Sequence, residues 1–281
     1  MAALKNKIDF VALISVTNAN GNGDPLNGNR PRTDYNGMGE ISDVCIKRKL
    51  RNRMQDMGSA IFVQSEDRCD DGFKSLSDRA TAATKGIKEK ETYAQTACEK
   101  WMDVRSFGQV FAFKSNDKSG VSVGVRGPVS IHQAVSISPV EIEEMQITKS
   151  VNGETGEKRS SDTMGTKHFV RFGFYEIKGA INVQLAEKTG FSQEDAAVVT
   201  ECLRTLFVND ASAARPEGSM EVVKLFWWEH NCKEGQYSSA KVHRSVHVTP
   251  KNPEGIPTCV DDYEITLDEL PGLVPEIIDG V

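Results

Sequence analysis

Four groups of residues in this chain are of types that can do chemistry. "GVSVG" at 120–124 has the G-x-S-x-G spacing of a serine nucleophile elbow, which needs a strand, a sharp turn and then a helix. Ser122 is followed by "VRGPVSI", which cannot begin a helix of useful length, so it reads as a polar residue in a strand. His243 and His247 are four apart, but in β-like sequence that spacing does not converge on a metal, and His230 with Cys232 is a lone H-x-C. Asp24 and Asp34 lie near bases in a loop. A carboxylate there can serve a nuclease or make Asx turns, and turn chemistry is the preferred reading. "GNGDPLNG" is not G-x-G-x-x-G, and no Walker G-K-[ST] exists. No catalytic residue, metal site or cofactor is expected.

The fourth group suits nucleic acid. Residues 17–37, "TNANGNGDPLNGNRPRTDYNG", hold six Asn, four Gly and two Pro. Gly and Asn let the chain turn in left-handed conformations that expose backbone N–H groups to an anion, and Asn side chains add donors. Arg30 and Arg32 flank a Pro that stiffens their spacing. Soon after, five of the seven residues from Lys47 to Arg53 are basic. A Gly/Asn-rich loop followed by a basic helix forms a sugar-phosphate cradle. "RFGFYEIKG" at 171–179 has aromatics in the wrong order for an RRM signature, so Phe172, Phe174 and Tyr175 are expected in the core.

The elements that must position these groups follow from periodicity. Residues 8–17 read as a central strand, apolar on both faces. Residues 42–57 read as a helix with Ser42 as N-cap, Ile46, Leu50, Met54 and Met57 on one side, and Lys47, Arg48 and Arg51 on the other. Residues 59–102 are polar and mostly helix-forming, with a loop at "DRCDDG", and look like an insertion. Strands are expected at 108–113, 121–126 and 129–137. The stretch 145–170 reads as a protruding β-hairpin with an Asn-Gly turn signal and few core residues. A long strand follows from His168, then a helix from Ser192 to Phe207 opened by a "SQED" capping box, then a buried strand "MEVVKLFWWEH". With insertions removed, the order approximates β-α-β-β-α-β, the ferredoxin-like or RRM-like α+β unit.

Composition sets bounds on function. The chain has 281 residues, 38% apolar and 26% charged, as in an ordinary soluble protein. No apolar run approaches the ~20 residues of a membrane span, and the start has no signal-peptide pattern, so a cytoplasmic protein without a membrane partner is expected. Six Cys without a C-x-x-C are expected as reduced thiols. Net charge is −6, mildly against a free-standing nucleic-acid binder, but the charge is segregated. Residues 259–281 hold seven acids and no base, whereas 30–53 hold seven bases and three acids. The acidic end reads either as a solvated tail or as a surface that meets basic residues elsewhere.

Several ordered motifs carry a resemblance. "NGNGDPLNGNRPRTD" and "SDVCIKRKLR" are followed by "DVRSFGQVFAF", "TMGTKHFV-RFGFYEIKGAINVQLAEKTGFSQEDA" and "FVNDASAAR". Together they resemble the subtype I-C member of the CRISPR-associated backbone family (the Cas-seven family of the RAMP superfamily) over about residues 8–250. "AARPEG" departs from a shorter Gly turn more usual in the family. The resemblance implies an RRM-like palm at 1–58, 103–144 and 171–258, a helical fingers insertion at 59–102, a β-hairpin thumb at 145–170, and an acidic tail at 259–281. It implies a non-catalytic subunit that binds CRISPR RNA and stacks head to tail with copies of itself beside other Cascade subunits. The thumb displaces a guide base at regular intervals, and the remaining bases pair with target DNA. The carry-over gives Asn18, Asn20, Arg30, Arg32, Lys47, Arg48 and Arg51 as guide-backbone contacts. Phe107 and Gly108 lie close to the guide, and Met164 and His168 lie on the thumb. The alternative is a backbone ribonuclease that uses Asp24 or Asp34. A stand-alone RNA-processing enzyme would need a catalytic His in a suitable loop, and none is present.

Overall fold

The computed structural model describes residues 3–112, 122–148, 150 and 164–281. Its frame begins with β1 (Ile8–Ala19), whose first nine residues are all buried. β2 (Gly23–Asp24) and β3 (Arg30–Pro31) pair inside the Asn/Gly loop, and β4 (Met38–Ile41) ends it. α1 (Asp43–Asp56) starts at Ser42, whose side chain accepts from the Cys45 N–H. The stretch after it carries α2 (Leu76–Ala83), α3 (Lys90–Lys100) and α4 (Met102–Phe107). Then come β5 (Gly108–Phe111), β6 (Val123–Arg126), β7 (Val129–Ile131), β8 (Ala134–Pro139), β9 (Ile142–Thr148) and the long β10 (Met164–Ile181). α5 (Val183–Thr189) and α6 (Gln193–Arg204) lead to β11 (Met220–Glu229). The chain closes with α7 (Ser239–His243), β12 (Val246–Pro250), β13 (Tyr263–Leu267) and β14 (Glu276–Asp279). The result is mixed α+β around one large antiparallel sheet.

That sheet has eight strands in the order β14-β11-β1-β10-β8-β4, with β7 and β9 also paired to β10. Side chains alternate along β1, so its two faces serve two cores. Phe10 and Ile14 pack with Ile46 and Leu50 of α1 and Val199 and Leu203 of α6. Val11 and Leu13 pack on the opposite face with Phe174, Trp228, Tyr263 and Leu273. The helix at 193–204 has the capping box expected from "SQED", with Ser192 and Asp195 each serving the other's N–H. A third core of Phe62, Tyr93, Trp101, Phe111 and Val123 belongs to the helical stretch and the β5–β6 ribbon.

Three expectations change on contact with the structure. The strand expected at 129–137 is two strands, because β7 pairs Ile131 with Gly179 while β8 pairs Val135 with Glu176, leaving one extra residue between them. That is a bulge, invisible to a period-two pattern. His243 ends a short helix rather than lying in a strand, since Ser238 caps α7 through the Lys241 N–H. The acidic segment 259–281 is no solvated end. Tyr263, Leu270 and Leu273 are buried, β13 pairs with β12, and β14 joins the main sheet. The hairpin flanks pair as expected from Met164↔Thr148 to Val170↔Ile142, while its middle, 151–163, lies outside the described residues.

Candidate nucleic-acid interface

At the end of β1 the chain leaves the sheet through Asn18, at φ 51. Positive φ recurs at Gly28, Asn29 and Gly37, and Gly and Asn are the residues that tolerate it. The loop's turns are held by its own side chains. Asp24 Oδ1 accepts from the Leu26 N–H at 3.2 Å and from Arg32 at 3.3 Å. Asp34 Oδ1 accepts from the N–H groups of Asn36 and Met38 at 2.8 and 2.9 Å. Both carboxylates therefore make Asx-type turns. Asn20 is buried, and its amide donates to the Asn29 carbonyl at 2.6 Å. Behind the loop, the Thr17 and Asn20 N–H groups donate to the Ser219 and Ala214 carbonyls, so the segment 214–219 buttresses it. Asn22 Oδ1 accepts from the Ser42 N–H at 2.9 Å, which ties the loop to the start of α1.

The residues singled out in the sequence fall into two groups joined by that Asn22–Ser42 bond. Asn18, Asn20, Arg30, Arg32 and His168 gather where β1 ends beside the β9–β10 hairpin. Arg30 reaches Glu144 of β9 at 3.4 Å, and the same carboxylate lies 3.7 Å from His168. Gly28 faces His168: a Cβ there would lie 3.9 Å from its Nε2. Met164 stands apart at the start of β10, 72% exposed.

The second group runs along α1. Lys47 pairs with Asp43 one turn back at 3.0 Å. Arg48 donates to the Val63 carbonyl at 2.7 Å. Arg51 donates to Asp103 at 2.9 Å, and its guanidinium lies 5.2 Å from the centre of the Phe107 ring. Gly108 has φ +81, and a Cβ on it would fall 2.4 Å from the Val125 carbonyl oxygen. Gly127 opposes it, its Cβ position 2.2 Å from the Ser106 carbonyl. These two glycines let the end of α4 cross the β6–β7 turn, which is a packing reason for the "SFG" motif.

Sequence reasoning missed the acids that organise these bases. Asp103 is buried and accepts from the Phe62 and Val63 N–H groups at 2.7 and 3.1 Å as well as from Arg51. Lys49, in the middle of the basic run, is buried against Asp210, which also holds Arg215 at 2.9 Å. Burial pushes the Lys49 ammonium below its ordinary pKa, and Asp210 opposes that shift. These partners lie 52 and 161 residues away along the chain, so no local pattern pointed to them. The histidines go to other tasks. His243 bonds to the Gly179 carbonyl and His247 to Asp268. His230 Nδ1 accepts the Gln236 N–H, which leaves Nε2 to donate to buried Asp9 at 2.8 Å. Among the described residues no three His, Cys, Asp or Glu gather as a metal would need, and no helix is long and apolar enough to cross a membrane.

A family model described as CRISPR-associated protein Cas7 matches residues 6–268. The chain belongs to the Cas7 family. A curated relative, the CRISPR-associated protein Cas7 of Haloferax volcanii, is 27% identical over 219 residues. The match covers 72% of this Cas7-family chain and 64% of the relative, so the chain spans under two thirds of that protein's length. Two solved chains are also similar. One comes from an assembly named "CRISPR RNA-guided surveillance complex, pre-nicking", with TM-score 0.49, 16% identity, and 79% and 78% of the two chains covered. The other, from a "CRISPR RNA-guided surveillance complex", has TM-score 0.46, 18% identity, and 79% and 68% covered.

Proposed function

We propose that this chain is a non-catalytic subunit that binds CRISPR RNA by its backbone. Copies repeat head to tail along the guide, with other Cascade subunits, to form the backbone of a type I-C complex that presents the guide to target DNA. The sheet order supports an RRM-like palm: β1 and β10 are central, β11 and β8 flank them, and α1 and α6 cover one face. The helical stretch at 59–102, with a core of its own, fits the fingers, and the β9–β10 hairpin fits the thumb.

One juxtaposition carries the reading. An Asn/Gly loop too polar to fold on a core of its own is held open by its own Asx turns, with Arg30 on it, Lys47 on the helix that follows, and the hairpin beside it. Such a surface meets phosphate and ribose without reading base sequence. The ribonuclease alternative needs Asp24 or Asp34 free for chemistry, and each already serves backbone N–H groups.

The test uses single-stranded RNAs of increasing length. With the full chain, oligomers seen by light scattering should grow with RNA length, and RNA should stay intact with Mg²⁺ or Mn²⁺. Replacing residues 150–162 by a short Gly/Ser turn should leave melting unchanged and abolish that growth, since a head-to-tail contact makes open helical arrays. Regularly spaced RNA fragments that vanish in Asp24→Ala or Asp34→Ala would overturn the non-catalytic reading.

A further inference from the structure

We propose that an opening at the end of β1, on the sheet face opposite α1 and α6, takes a single unpaired nucleobase; the proposal rests on the RNA-binding reading above. On that face the segment after β11 covers Val11, Leu13, Phe174 and Trp228. The cover stops short of the last residues of β1, and a cavity of about 310 Å³ remains, lined by Thr17, Asn18, Glu141, Arg171, Phe172 and Ile256 among others. Phe174 is 1% exposed, whereas Phe172, its neighbour on the same face, keeps 9% and lines the cavity. Ile256, 79% exposed, adds an apolar side chain to the lining.

The lining chemistry selects the occupant. Apolar surface comes from Phe172 and Ile256. Around it stand a hydroxyl, an amide, a carboxylate and a guanidinium, with Arg171 3.5 Å from Glu141. That set offers both donors and acceptors at near-zero net charge. A phosphate would meet the Glu141 carboxylate, and a purely apolar side chain would leave the polar groups unpaired. A flat neutral heterocycle with donors and acceptors on its edge suits both parts. The volume is at the low end for small-molecule sites, enough for one base rather than a stack of several.

Position gives the base its route. Asn18 both lines the cavity and begins the Asn/Gly loop, so RNA whose backbone lies on that loop has a base within reach. In RRM-like folds bases stack on the sheet face opposite the two main helices; here α7 and the segment after it cover most of that face, and this opening is the part left at the end of β1. An apolar slot for one base tolerates any sequence, because every base has a π-face.

The test separates the cavity from the phosphate surface. Ile256→Trp fills the opening from an exposed position and should leave the melting temperature unchanged. Adenosine, which carries no phosphate, should perturb the NMR signals of Thr17 and Asn18 in the wild type and not in Ile256→Trp. Oligo(A) should bind the wild type about fivefold or more better than an abasic chain of the same length and charge. In Ile256→Trp that preference should shrink while the salt slope stays the same. If adenosine is ignored, or if the variant keeps either response, the cavity does not hold a base. Adenosine binding without any RNA binding would overturn the RNA reading instead, leaving a nucleoside site.

Discussion

Asp103 orders more of the candidate interface than any base on α1. One buried carboxylate receives two backbone N–H groups and the Arg51 guanidinium, which in turn lies over Phe107. Removing one partner of a buried pair leaves the other uncompensated. Asp103→Ala should therefore cost about 3 kcal/mol in a denaturant melt. The double variant with Arg51→Ala should cost less than the two single effects summed, because the two side chains form one unit. Strict additivity would show that Arg51 does not depend on Asp103. Asp71 gives a pH-dependent counterpart. Hydrogen bonds from Arg79 hold its carboxyl down, from 3.8 to about 2. A depressed carboxyl stabilises the fold above its unfolded value, and that stability is lost as pH falls through the folded value. Stability should thus drop between pH 3.8 and about 2, and Asp71→Asn should flatten that part of the curve. An unchanged acid limb would mean that the Asp71–Arg79 pair survives no better than its unfolded parts.

At the scale of elements, α1 divides its bases by partner. Arg48 and Arg51 are engaged with the stretch that follows the helix, and Lys49 with Asp210. Among the described residues Lys47 makes an i,i+4 pair with half-exposed Asp43, a kind worth a few tenths of a kcal/mol. Arg30, across the loop, pairs with an exposed glutamate. Phosphate can compete for these two at little cost. Changing both Arg30 and Lys47 to Ala should lower the salt slope of single-strand RNA binding by about 1.4, at ~0.7 per contact, with melting unchanged. Arg51→Ala should instead lower the melting temperature. A slope that does not move in the Arg30/Lys47 variant would assign the contacts to other residues.

For the whole molecule, the last residues decide whether the sheet has two covered faces. Tyr263, Leu270 and Leu273 bury against Val11, Leu13, Phe226 and Trp228, and β14 pairs with β11. Full burial of a large apolar side chain is worth about 1.5–3 kcal/mol, so three of them approach the stability of a typical domain. A chain cut after Thr258 should aggregate or expose apolar surface to a dye at neutral pH. A truncated chain that melts like the intact one would show that the segment is an accessory layer.

Most elements are legible in the sequence, because their signals are local. The apolar run 8–17, the Ser42 cap, the "SQED" box and the Asn-rich loop each state their conformation within a few residues. Aromatics in the wrong order for an RRM signature also put Phe172, Phe174 and Tyr175 in the core, and all three are buried. Tertiary structure alone decided who pairs with whom. The basic run from Lys47 to Arg53 looks like one charged face, yet Asp103 and Asp210 hold Arg51 and Lys49 as buried anchors, while Lys47 pairs with Asp43 on the helix surface. Composition leaves the acidic end as either a solvated tail or a surface that meets basic residues, yet its few apolar residues close a core whose other half lies some 250 residues earlier, in β1. Charge and hydropathy are properties of residues, but burial and ion pairing are properties of pairs that only folding brings together.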